Sequence, residues 1–221
     1  MSHIFHPYTS FSTIQNDELP NITRGEGIYL YDDKGNRFVD VVSSWWACAL
    51  GHNHPVVVKA IKEQADILQH SITGGMTHPN VIKLAENLSL LMPSPDRHVV
   101  FASDGASSVE AALKIAVQYW HNIGRSEKKY LIGMDQGYHG DSLGALGVGF
   151  VDTFHEPYSQ IITNIAKLPF PSPTENDPHG FEPSRSIITE HASELAAVIL
   201  EPLCLGSVSY THLTLPTRTR V

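Results

Sequence analysis

Three short apolar runs constrain the fold of this chain more than any other feature. They are HVVFA (98–102), YLIGM (130–134) and AAVILEP (196–202). Runs this uniformly apolar are buried on both faces. Between them lie stretches of helical period, residues 106–120 and 184–195. The first carries Val109, Ala112, Leu113, Ala116, Val117 and Trp120 along one stripe. Doubly buried strands alternating with helices predict an α/β fold, a mostly parallel sheet flanked by helices. A Gly-rich loop follows YLIGM, and the Pro-rich, polar stretch 153–183 reads as irregular surface.

The first quarter of the chain has a different logic. IYLYD (28–32) and RFVDVV (37–42) read as strands joined by a D-D-K-G-N turn, a hairpin. From Pro55 the period becomes helical, through Val57, Ile61, Ala65 and Leu68, with proline early, where a helix tolerates it. A second helix spans 79–91 and ends at Pro93 and Pro95. The expected organisation is an N-terminal arm and hairpin of a small domain (1–50), then the first part of a larger α/β domain (51–207).

Composition removes several function classes. With 221 residues and 42% hydrophobic content, the chain supports a sizeable core, and disorder is not its main state. A net charge of -8 with scattered Lys and Arg gives no nucleic-acid footprint. No apolar run reaches the length of a membrane span, and MSHIFHPYTSF lacks the pattern of a secretory signal. Cys48 and Cys204 make no disulfide framework, so the expected compartment is the reducing cytoplasm. His52 and His54 flank Asn53, but no Cys or further His stands at zinc-site spacing. They read as polar loop histidines before Pro55, and no metal is expected.

Several short motifs can carry chemistry. In F-A-S-D-G-A-S-S-V-E-A-A-L-K a buried run leads through Ser103, Asp104, Gly105, Ala106 and Ser107 into a helix. Gly105 lets an anion approach the backbone, and the first-turn N–H groups suit a phosphate. The same residues also suit an ordinary N-cap by Ser103 or Asp104. The pattern is neither G-x-G-x-x-G nor a P-loop. In G-Y-H-G-D (137–141), Tyr138 can stack on a flat ring, and Asp141 can cap the next helix. H-P-Y-T-S (6–10) puts Tyr8 on a tethered arm or a disordered end. In S-S-W-W (43–46), strand geometry would send Trp45 and Trp46 to opposite faces, one into a core and the other toward something else.

H-P-Y-T-S, S-S-W-W-A, G-H-N-H-P, S-D-G-A-S-S-V-E-A-A-L-K, G-Y-H-G-D and A-A-V-I-L-E-P occur in this order. Together they resemble the class III, fold-type I, pyridoxal-phosphate aminotransferases, over residues 3 to about 206. No single motif is decisive, but the ordered set is specific. The resemblance implies pyridoxal 5'-phosphate as cofactor and transamination as the reaction. It makes 51–207 the first part of the cofactor-binding domain. Gly105 and Ala106 match the pair that holds the cofactor phosphate. Many relatives have Ser or Thr at the second position, so Ser107 or Ser108 is expected to replace the hydroxyl that Ala106 lacks. Tyr138 matches the aromatic that stacks on the pyridine ring, and Glu201 an acidic residue close to the cofactor. Tyr8 and Trp45 match residues lining the substrate pocket, which would leave Trp46, on the opposite face, to pack inward, and Tyr138 and Asp141 lie near the pocket.

H-P-Y-T with S-S-W-W resembles one branch of that family, which takes the amino group from S-adenosylmethionine and gives it to 8-amino-7-oxononanoate in biotin biosynthesis. The implied partners are these small molecules and a second copy of the chain, with neither nucleic acid nor membrane.

The family's Schiff-base lysine and pyridinium-pairing aspartate match nothing here. Lys59, Lys62, Lys83, Lys114, Lys128 and Lys129 all stand at the wrong motifs. In relatives both residues lie beyond E-P, in a chain about twice this length. From about Val208 the sequence V-S-Y-T-H-L-T-L-P-T resembles a translated sequencing adaptor, so 208–221 is expected to be a non-native tail and the truncated chain inactive.

Overall fold

The computed structural model describes residues 3–7, 9, 19–94, 96–163 and 165–201. Tyr8 and the tail 208–221 lie outside the described residues. The chain divides into two compact units, Met1–Glu86 and Asn87–Val221.

The first unit holds an antiparallel sheet in the order β1 (Ile22–Glu26), β2 (Tyr29–Asp32), β3 (Arg37–Val39). The D-D-K-G-N turn forms because the Asp32 carboxylate accepts the N–H groups of Lys34 and Asn36 and the Asn36 side-chain amide. Chiefly the Asn36 amide holds its pKa below the usual carboxylate range. ITRGE is too polar to read as a strand, yet β1 pairs along β2, with the Arg24 guanidinium 3.7 Å from the Tyr31 ring centre. β3 stops at Val39, short of the expected 42, and residues 41–50 are turns. Helices α1 (Pro55–Ile67) and α2 (Pro79–Leu90) follow, and the division between the units falls inside α2.

The second unit contains α3 (Gly105–Asn122), β4 (Tyr130–Asp135), α4 (Leu143–Val148), β5 (Gly149–Phe150), α5 (Asp152–His155), a 3-10 turn (Glu156–Tyr158), β6 (Lys167–Leu168), α6 (Glu182–Glu190) and β7 (Leu195–Val198). β4 pairs in parallel with β5, β6 and β7, the sheet type that the apolar runs require. The core gathers on it: Ile132, Met134, Ala145, Leu146, Val148 and Leu168 are buried. Each large apolar side chain among them contributes about 1.5–3 kcal/mol. A side chain at Gly133 would put its Cβ 1.7 Å from the Val148 carbonyl, so only glycine lets α4 close on the strand. The Trp120 indole donates to the Ala196 carbonyl at 2.8 Å and ties α3 to β7, and the Tyr130 ring stacks on His191 with centres 4.2 Å apart.

Two expectations are corrected. Residues 98–102 form no strand, because a strand exists only against a partner backbone and none pairs with them among the described residues. The loop after YLIGM contains α4, whose two glycines conceal it in the sequence.

Candidate functional site

The second unit brings the G-Y-H-G-D loop against the start of α3. Gly140 has φ +114°, and a Cβ there would lie 2.5 Å from the Ala106 Cβ. Two glycine-bearing segments, 105–106 and 137–141, therefore meet backbone to backbone.

At the α3 N-terminus, Asp104 is the cap. Its carboxylate accepts the Ser107 N–H at 2.7 Å and the Ser107 hydroxyl at 2.9 Å. Those donors, the backbone one first, hold its pKa below the usual carboxylate range. The Ser108 hydroxyl donates to the Asp104 carbonyl at 2.9 Å. Both hydroxyls expected to stand in for the one that Ala106 lacks are thus engaged by Asp104. Gly105 is open: a Cβ there would meet nothing within 4 Å, so an anion can reach its backbone.

The loop is anchored from three sides. Tyr138 N–H donates to the Glu201 carboxylate at 2.9 Å, across 63 residues of sequence. The Tyr138 hydroxyl donates to Asp141 at 2.9 Å. The Tyr138 ring lies 20° from parallel with His155, centres 6.1 Å apart. His155 is buried, accepts the Val151 N–H on Nδ1 at 3.0 Å, and turns Nε2 to Asp141 at 3.5 Å. With Nδ1 accepting, the neutral ring carries its proton on Nε2. Burial pushes the His139 pKa down, against the opposing effect of Glu201.

Glu110 and His155 were not legible as site residues. Glu110 accepts the Ser142 hydroxyl at 2.7 Å and the Gly144 N–H at 2.9 Å, so α3 caps α4. Its signal is a carboxylate at i, with Leu113 and Val117 at i+3 and i+7, on an otherwise apolar face. His155 gives none: it sits in a stretch without periodicity.

Trp45 lies in the first unit, in the turn after β3. Ser43, Ser44, Trp45 and Trp46 have φ of 50°, 48°, 55° and 67°. This is a left-handed turn, not the strand that would alternate the two indoles. Trp46, expected to face inward, is 66% exposed, and Trp45 is 61% exposed. His52 Nε2 meets Asp40 at 2.8 Å, so that histidine has a carboxylate partner. Among the described residues, no group of three or more His, Cys, Asp or Glu is placed to hold a metal, and no helix is long and apolar enough to cross a membrane.

Known proteins resemble this chain over most of its length. The family model for aminotransferase class-III matches residues 12–213, running into the segment expected to be non-native. The adenosylmethionine-8-amino-7-oxononanoate aminotransferase of Staphylococcus aureus is 36% identical, over 93% of this chain and 48% of that protein. The crystal structure of the enzyme of that name from Methanocaldococcus jannaschii superposes with a TM-score of 0.84 at 34% identity, covering 95% of this chain and 48% of the other. An amine transaminase from an uncultivated Pseudomonas species, crystallised with pyridoxal phosphate bound, gives 0.81 at 28% identity, covering 100% and 54%. The chain spans about half the length of the curated relatives it matches.

Proposed function

The chain belongs to the class-III aminotransferases, and from that membership we propose that the full-length protein transfers an amino group from S-adenosylmethionine to 8-amino-7-oxononanoate. The product is 7,8-diaminononanoate, for biotin biosynthesis. One observation carries the reading: relatives from S. aureus, Aquifex aeolicus and Geobacter sulfurreducens, 31–36% identical, share the name of that enzyme. The protein acts in the cytoplasm as a homodimer on these small molecules.

The family implies pyridoxal phosphate, and the residues fit it. When bound, it supplies an electron sink for the bond broken at the donor carbon. The N–H groups at Gly105 and Ala106, at the positive end of an 18-residue helix, would hold the phosphate. Ser107 contributes through Asp104, which it locks in the cap. Tyr138 would offer its ring to the pyridine, and Glu201 fixes the loop that carries it. Asp141 holds the Tyr138 hydroxyl, and Tyr8 and Trp45 are the substrate residues that the family resemblance supplies.

The test is a donor assay on the full-length protein with pyridoxal phosphate and 8-amino-7-oxononanoate. Diaminononanoate formed with S-adenosylmethionine supports the reading. Turnover with alanine or glutamate but none with S-adenosylmethionine overturns it in favour of another ω-amino-acid aminotransferase.

A further inference from the structure

The least expected backbone in the first unit is the turn that carries the tryptophan pair. Four successive residues with side chains stand in the left-handed region, where each costs roughly 1–2 kcal/mol that glycine would not. Such strain persists only where its surroundings hold it. Part of the hold is backbone: Trp46 N–H donates to Val42 O at 3.1 Å and Cys48 N–H to Ser43 O at 3.0 Å. The rest converges on one carboxylate. Asp40 accepts the Ser44 hydroxyl and His52 Nε2, each at 2.8 Å, with the two ion-pair side chains 6% and 13% exposed. His52 is itself fixed. Its backbone exchanges two hydrogen bonds with Gly27, at 2.7 and 3.0 Å, and a Cβ at Gly25 would lie 2.7 Å from its own Cβ. Ser44, through backbone N–H and then hydroxyl, and His52 hold the Asp40 pKa at about 2, so the carboxylate stays charged at neutral pH.

We propose that Asp40 is a positioning residue: gripped between Ser44 and His52, it holds Ser43–Trp46 in the left-handed turn and so sets where Trp45 presents its indole to substrate. This rests on the reading that Trp45 lines the substrate pocket. It also gives G-H-N-H-P a task within the same unit, because its first histidine closes the grip.

The experiment is a double-mutant cycle on the full-length enzyme, with W45A and D40A alone and combined. W45A is expected to raise the KM of one substrate about tenfold. D40A raises the same KM by a similar factor with kcat within about threefold, and adds little to W45A, because both remove one contact. Iodide quenching of tryptophan fluorescence, with the contribution of Trp45 isolated as the difference between otherwise identical proteins with and without W45A, changes in D40A. S43G/D40A regains part of the KM, since glycine adopts the left-handed conformation without the grip. Should D40A fold poorly, S44A and H52A each remove one partner and shift KM the same way. W45A with every KM unchanged overturns the pocket reading and this inference with it. W45A raising KM while D40A leaves KM and quenching unchanged, or acts additively, overturns the inference alone.

Discussion

Lys167 shows how one side chain records its surroundings. It lies on β6 and donates to the Gly147 carbonyl. Burial pushes its pKa down to about 8, with Asp135 opposing. The unfolded chain, with an ordinary lysine near 10.4, binds more protons than the folded one between those values. The burial penalty is therefore complete below pH 8 and is relieved as pH rises toward 10.4. The Tm difference between K167M and the parent should be larger at pH 7 than at pH 10. A difference independent of pH would contradict the assignment. Glu201 offers a second prediction. Its hydrogen bond to Tyr138 N–H is charge-assisted, and losing it should free the loop. E201A should weaken pyridoxal-phosphate binding by about tenfold, with E201Q recovering most of the loss, as read by spectroscopic titration of the full-length protein. At this scale the sequence pointed to Tyr138 and Glu201 as neighbours of one ligand. It could not show that one holds the other, because 63 residues separate them.

Elements in the second unit are held by each other as much as by their own caps. α4 begins at Leu143 with no side-chain cap from Ser142, and Glu110 of α3 supplies the acceptor. E110A should cost about 0.5–2 kcal/mol, the range for a lost helix cap, measured by urea unfolding. An unchanged midpoint would mean that water replaces the carboxylate. The meeting of α3 with the G-Y-H-G-D loop is tighter still. G140A both forces a side chain into φ +114° and drives it onto Ala106, so a loss of about 1–3 kcal/mol is expected. A106G/G140A should recover only the steric part. α1, α2, α3, α6 and β7 were legible because period and apolar runs are local properties. α4 was not, because six residues with two glycines have no period to read. Residues 98–102 read as a strand from their apolarity alone, which says nothing about whether a neighbour is there to pair.

At the scale of the molecule, large apolar side chains stay exposed. Ile82, Leu84 and Leu90 of α2, and Ile115 and Tyr119 of α3, all face solvent. A groove of about 710 Å³ beside α3 is lined by Leu113, Val117, Leu131, Val148 and Ile165. Surface of this kind drives association at micromolar concentration. The 221-residue chain expressed alone should sediment as oligomers or aggregate, and a stable monomer under those conditions would refute this.

The sequence by itself determined the α/β class, the parallel sheet, the helices of strong period and the family, since each rests on local pattern or on an ordered set of motifs. The tertiary structure alone decided what the local residues serve. Asp104 takes the serine donors at the N-terminus of α3, Glu110 caps a helix that is not its own, and S-S-W-W is a left-handed turn. These outcomes depend on which backbones approach across tens of residues, and neither period nor composition carries that distance.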